Sequence, residues 1–350
     1  MNGTMNAVVK TSRGHGAQLL KLDIPKPGPY DVLVKVKATS ICGTDVHIYT
    51  WDPWAQSRIK NIPQTLGHEF AGEVLEVGSL VKHIKVGDTI SAETHIPCGG
   101  CLQCLTGQMH ICENLSILGV DIDGCFAEYA VVPEVVCWKN DPSIPFEFAT
   151  VQEPMGNAMY TTLEGGGVHG KTVAIFGEGP TGLFATGIAR ASGATDIFVI
   201  GRNSFRLDIA KKMGADHIIH ISNTNAKEYI MEKTHGGGVD VVLEMSGAPQ
   251  AIDTGFKVVR KGGRYCAFGI PSVPITLNYA DDIIFKGVNL YGINGRKMFE
   301  TWFQVRNYLA SKRIDISPIV THVMPLESFK QGFDVLTSPE AKCGKIVLTP

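Results

Sequence analysis

The sequence predicts a two-domain α/β protein: a barrel-like β domain followed by a doubly wound parallel sheet. Three observations lead there. A length of 350 residues exceeds what one ordinary core encloses. Before about residue 155 the chain reads as short strands broken by glycine and proline. After it, strands alternate with helical stretches.

In the first part, Asp31–Val36 alternates apolar and polar residues with period two, and Phe70–Val77 and Val86–Ile90 read as further short strands. In the second, Thr172–Phe176 is a buried-type strand, followed by a glycine turn and a helix through Leu183–Ala191. A strand at Ile197–Ile200, a helix at Ser204–Met213 and strands at His217–Ile219, Val239–Leu243 and Gly263–Phe268 continue the pattern. Expected boundaries are residues 1–155 for the first domain, 156–296 for the second, and a tail over 297–350 that returns to the first.

Composition narrows the function. The chain is 44% hydrophobic and 19% charged, with 32 basic against 34 acidic side chains and a net charge of -2. That balance gives neither nucleic acid nor an anionic membrane a basic face to bind. The amino terminus lacks a basic region followed by an apolar stretch, and no apolar run approaches the ~20 residues that cross a bilayer. A cytoplasmic protein is expected.

Nine cysteines are unevenly placed, and four of them form Cys98-x2-Cys101-x2-Cys104-x7-Cys112. CxxC spacing lets one tight turn aim two thiolates at a single ion, and four thiolates leave no open coordination position. The segment over 98–112 is therefore expected to hold a structural zinc; an iron–sulfur cluster uses the same donors. A zinc-ribbon nucleic-acid module is disfavoured, because that segment contains no lysine or arginine.

A second, dispersed set comprises Cys42, His68, Glu69 and Glu153. Each is a suitable zinc ligand, and catalytic zinc takes three protein ligands and keeps one position open. By residue type alone this is a weak signal, since a lone cysteine is usually a small buried hydrophobe.

Gly177-Glu178-Gly179-Pro180-Thr181-Gly182 fits G-x-G-x-x-G in the context that pattern needs, after a strand and opening a helix. Gly177 makes the turn, Gly179 admits the pyrophosphate, and Gly182 lets helix and strand pack. Gly165-x4-Gly170-Lys171-Thr172 matches the phosphate loop of ATPases in letters only. It follows a helical stretch and precedes a strand, the reverse of the required order, so ATPase is rejected. About twenty residues past the glycine turn an acid would bond the adenosine ribose. Here Gly201-Arg202 stands instead, which favours NADP, with NAD the other possibility.

In this order, Cys42-Gly43-Thr44-Asp45, Gly67-His68-Glu69, the four-cysteine segment and the glycine turn resemble the medium-chain zinc-dependent dehydrogenase family, over nearly the whole chain. The resemblance implies a GroES-like catalytic domain and a Rossmann domain. It also implies two zinc ions per chain, one catalytic on Cys42, His68 and Glu69 and one structural on the four cysteines. Thr44 and His47 are similar to the family's proton relay, and Glu153 to a carboxylate that ligates zinc in one state or tunes the relay. Thr181, Gly201, Arg206, Phe268, Gly269, Ile270, Ile293 and Asn294 fall at cofactor-contacting positions.

Tyr49–Ala55, Glu153–Ala158, Leu243–Pro249, Gly295–Trp302 and Ser317–His322 resemble the branch of the family that oxidises L-threonine at its 3-hydroxyl, usually as a homotetramer. That resemblance implies L-2-amino-3-oxobutanoate as product. Arg296 and the tryptophan segment are the first candidates to meet the substrate's charged groups. A polyol or 2,3-butanediol dehydrogenase would share every zinc and cofactor residue. A non-enzymatic cofactor-binding protein on the same fold would be expected to lose the catalytic ligands, which are all present here.

Overall fold

The computed structural model describes residues 3–338 and 340–350. They form two compact units: Met1–Glu153, Lys297–Ala310 and Val320–Pro350 in one, Pro154–Arg296 and Ser311–Ile319 in the other.

The second unit is built on six strands: β1 (Thr172–Phe176), β2 (Asp196–Gly201), β3 (His217–His220), β4 (Val239–Glu244), β5 (Val259–Ala267) and β6 (Asn289–Gly292). All pairings are parallel, in the order β3-β2-β1-β4-β5-β6, the doubly wound arrangement. Strands such as Val173-Ala174-Ile175-Phe176 are continuously apolar because both faces of a parallel sheet are covered. The helix Pro180–Ala191 starts at Gly179 with proline in its first turn, where a missing N–H costs nothing. Ser204–Lys212 is capped by Asn203, whose side chain accepts from the Arg206 N–H. The carboxyl ends of β1, β2, β4 and β5 are in register, with Phe176 opposite both Ile200 and Glu244 and Glu244 opposite Ala267. The expected strands and helices here all form, within a few residues at their ends. The sequence pattern does not mark β6, which has four residues, mostly exposed, and shows neither period.

In the first unit, Gln18–Asp23, Thr4–Lys10 and Gln64–Thr65 make a small antiparallel sheet. A seven-stranded sheet runs through Cys137–Lys139, Thr89–Ala92, Glu69–Val77, Asp31–Ser40, Lys345–Thr349 and Val320–Pro325, with Tyr129–Pro133 also paired to Asp31–Ser40. Of the expected strand at Val86–Ile90, the first three residues form a turn and pairing begins at Thr89. Lys345–Thr349 lies inside the sheet, antiparallel to Asp31–Ser40 and parallel to Val320–Pro325. One apolar cluster (Ile41, Ile48, Tyr49, Phe333, Ile346) seats the helix Gly43–Thr50 against this sheet, with the Tyr49 and Phe333 rings stacked at 4.1 Å. Among the described residues, no helix is long and apolar enough to cross a membrane.

Candidate active site and metal centres

The dispersed set converges. Donor atoms of Cys42, His68 and Glu69 lie within 4.8 Å of one another, with His68 and Glu69 buried. Local structure explains how each is held. Cys42 precedes the helix Gly43–Thr50, and its N–H donates to Asp45 Oδ2 at 2.9 Å. His68 follows Gly67, whose φ of +87° suits glycine and whose Cβ would lie 2.0 Å from the Phe126 ring. Glu69 opens the strand Glu69–Val77 and points inward, fully buried.

Three further side chains orient this group, and residue type alone marks none of them. Asp45 is buried and sets Oδ1 3.5 Å from His68 Nδ1, and neither atom has another partner. With Nδ1 turned toward Asp45, Nε2 is the nitrogen left to a metal, the usual way a carboxylate aims a ligating histidine. Lys345 Nζ donates to both Glu69 oxygens, at 2.9 and 2.6 Å, and Ser40 Oγ donates to one of them. Burial pushes the Glu69 carboxyl above its ordinary value and neighbouring Glu153 adds to this, while Lys345 and His68 oppose it. For His68, burial disfavours the cation, yet Asp45 and Cys42 raise it well above the usual imidazole value. A cysteine, a histidine and a carboxylate with a carboxylate-backed imidazole fit a zinc ion.

Glu153 is buried, and Oε1 accepts from the Thr94 hydroxyl at 2.8 Å. Thr44 and His47 stand one turn apart on Gly43–Thr50, Thr44 half-buried and His47 exposed. His47 Nδ1 lies 2.5 Å from Asp52 Oδ2. Burial raises the Asp52 carboxyl, but the Ala55 N–H and His47 outweigh it and hold it below its usual range.

The lobe cysteines also converge, all four sulfurs within 4.8 Å of one another. Cys101 Sγ lies 3.5 Å from Cys104 Sγ and 3.7 Å from Cys112 Sγ. Tetrahedral zinc with bonds of ~2.3 Å has sulfur–sulfur edges of roughly 3.8 Å, so the quartet fits. Backbone N–H groups, Gly100 first, lower the Cys98 thiol to about 6, whereas burial raises Cys104 to about 12.

In the second unit the glycine turn follows β1, with Gly177 at φ +112°. A Cβ on Gly182 would sit 1.9 Å from the Gly177 carbonyl oxygen, so only glycine allows that helix–strand approach. Thr181 lies in the first turn of the helix. Gly201 ends β2, and Arg202 beyond it is exposed. Phe268, Gly269 and Ile270 follow β5, the first two donating their N–H groups to the Glu244 carbonyl. Ile293 and Asn294 follow β6. All these positions share the carboxyl edge of one parallel sheet, where such folds bind dinucleotides.

That edge also contains an acid that the sequence pattern does not mark. Glu178, a variable position of the glycine turn, accepts the Arg202 and Asn203 N–H groups on Oε1, both at 3.0 Å. Its Oε2 lies 2.4 Å from where a Gly201 Cβ would be, so the carboxylate fills the space a larger residue would take. Arg296 is buried and donates to Asn157 Oδ1 at 3.0 Å.

Two families of domain match the chain: the alcohol dehydrogenase GroES-like domain over residues 28–142 and the zinc-binding dehydrogenase domain over residues 180–311. The chain belongs to the zinc-binding dehydrogenases and is an oxidoreductase acting on CH–OH groups. It is 48% identical over 350 residues, all of both chains, to an L-threonine 3-dehydrogenase of Bacillus velezensis. A zinc-binding dehydrogenase of Sinorhizobium meliloti bound to NADP has a TM-score of 0.90 at 30% identity, covering 99% of this chain and 100% of that one. An Escherichia coli alcohol dehydrogenase complexed with NADH has a TM-score of 0.91 at 26% identity, covering 99% of each chain.

Proposed function

We propose that this chain oxidises L-threonine at its 3-hydroxyl to L-2-amino-3-oxobutanoate, passing the hydride to a nicotinamide dinucleotide. The observation that carries the reading is the convergence of Cys42, His68 and Glu69 in a chain similar along its whole length to L-threonine 3-dehydrogenases. Zinc held by these three residues supplies Lewis acidity toward the substrate hydroxyl. Asp45 aims His68, and Lys345 with Ser40 fixes Glu69. Thr44 and His47 carry the hydroxyl proton outward, from a half-buried to an exposed position, and ionised Asp52 stabilises the histidine as it gains charge. Glu153, held by Thr94, ligates the metal in one state or tunes this relay. The four lobe cysteines hold a structural zinc. A cytoplasmic setting is supported by nine cysteines without a disulfide, four of them grouped to bind metal. We assign a homotetramer on the likeness to the threonine-oxidising branch.

The dinucleotide contacts proposed are those at the carboxyl edge: Gly177, Gly179, Thr181, Gly182, Gly201, Arg202, Arg206, Phe268, Gly269, Ile270, Ile293 and Asn294. The Gly201-Arg202 pair argues for NADP. Glu178 argues for NAD, because its carboxylate can accept from ribose hydroxyls and repels a 2′-phosphate. We weight Glu178 above Arg202, since two backbone N–H bonds fix its carboxylate beside Gly201 whereas Arg202 is exposed. This reverses the preference read from the sequence. Initial rates with L-threonine, sorbitol and 2,3-butanediol, each with NAD and with NADP, test the proposal. Absent turnover of threonine, or a better rate with either rival alcohol, refutes it.

A further inference from the structure

The phosphate-loop look-alike Gly165-x4-Gly170-Lys171-Thr172 has no part in the proposed reaction, yet it borders a polar cavity of about 250 Å³ in the second unit. Lys171, Arg260, Arg264, Asp240, Asn289 and Tyr291 line it together with Gly165. They come from the amino ends of β1, β4, β5 and β6, the sheet edge opposite the glycine turn.

The charge there is unbalanced. Three cations and one acid line the cavity, and the acid is already engaged: Asp240 accepts from Thr172 N–H and Oγ1 and from Arg260 Nε, while Lys171 Nζ donates to the Gly167 carbonyl. Arg264 is 95% buried and cannot shed its proton. Two of its nitrogens cap the helix Gln152–Leu163 by donating to the Thr162 and Glu164 carbonyls. Its Nε is buried without any hydrogen-bond partner, and the Glu164 carboxylate acts on the guanidinium through charge. A buried charged donor left without an acceptor is costly.

We propose that this cavity binds a small phosphate-type oxyanion, as free phosphate or as the phosphoryl group of a small ester. Lys171 and Arg260 supply charge-assisted donors, the buried Arg264 guanidinium adds its charge behind them, and Asn289 and Tyr291 close the rim. The volume falls below the ~300 Å³ where pockets for larger ligands begin, which excludes a whole nucleotide. Lys171 acts through its side chain, so the reversed order of loop and strand that rules out an ATPase does not weaken this site.

The test is calorimetric titration of inorganic phosphate and of glycerol 3-phosphate into the full-length, zinc-loaded protein. Saturating dinucleotide occupies the glycine turn, and ionic strength is matched with chloride. One site per chain is expected, with saturable heat that chloride does not give. Lys171→Met removes a donor and Asn289→Asp adds a negative charge at an exposed position. Each should weaken binding roughly tenfold or more, the scale of one charge-assisted hydrogen bond. Tighter binding of the ester assigns the site to esters, and tighter binding of phosphate to the free ion. Heat no greater than with chloride, or an affinity unchanged by both substitutions, overturns the proposal.

Discussion

Replacing Lys345 with methionine tests the arrangement around Glu69 most sharply. Their side chains are 3% and 0% exposed, and the lysine bonds both carboxylate oxygens. Methionine keeps most of the volume and removes the charge. Glu69 is then a buried carboxylate with Ser40 as its remaining hydrogen-bond donor, in reach of Glu153, which already disfavours its ionisation. Breaking a buried pair from one side costs about 3–5 kcal/mol. For a unit of roughly 200 residues the unfolding entropy converts that to a fall of about 7–12 °C in Tm. Calorimetric unfolding of the metal-stripped protein measures it, so that zinc cannot substitute for the missing cation. The double variant Lys345→Met/Glu69→Gln should regain most of the loss, because both charges are then gone. A single variant within about 1 kcal/mol of the parent, or a double variant no more stable than the single, would refute the reasoning.

Glu178→Gln should raise the ratio of kcat/KM for NADP to that for NAD by roughly tenfold, the scale of one charge beside a phosphate; an unchanged ratio removes Glu178 from cofactor choice. Cys42→Ser should abolish threonine turnover and lower zinc content by one ion per chain, read by plasma mass spectrometry. Cys104→Ser should also lose one ion, but its main effect should be a lower Tm, since a closed site stabilises the fold. Arg58 donates to both oxygens of Asp121, and although burial opposes it, this pairing holds the Asp121 carboxyl below its usual range. A carboxyl so depressed adds stability above its unfolded value and loses it as pH falls through the folded value. Asp121→Asn should therefore flatten the acid limb of a Tm-against-pH curve and lower Tm at neutral pH.

What the sequence disclosed was what spacing encodes. The lobe cysteines and the glycine turn are short-range patterns, and each folded into the geometry its spacing implied. Cys42, His68 and Glu69 lie further apart and gained weight only through family resemblance. Lys345 was illegible, because its partner is 276 positions away and nothing local marks a strand-initial lysine as buried. Glu178 was hidden differently: it occupies a variable position of its own motif, and its meaning depends on Gly201 being small. Asp45 was visible within Cys42-Gly43-Thr44-Asp45, but its task appears only once His68 is beside it.

The pairing of Lys345 with Glu69 also orders events in time. Cys42, His68 and Glu69 are synthesised early, whereas their counter-charge arrives 276 residues after Glu69, roughly 14–55 s later at 5–20 residues per second. Lys345–Thr349 fills an interior position of its sheet, so until it is made Val320–Pro325 has no neighbour there and the Asp31–Ser40 edge lies open at Thr39 and Ser40. Cys42, His68 and Glu69 therefore sit on an unfinished sheet until Lys345–Thr349 is made.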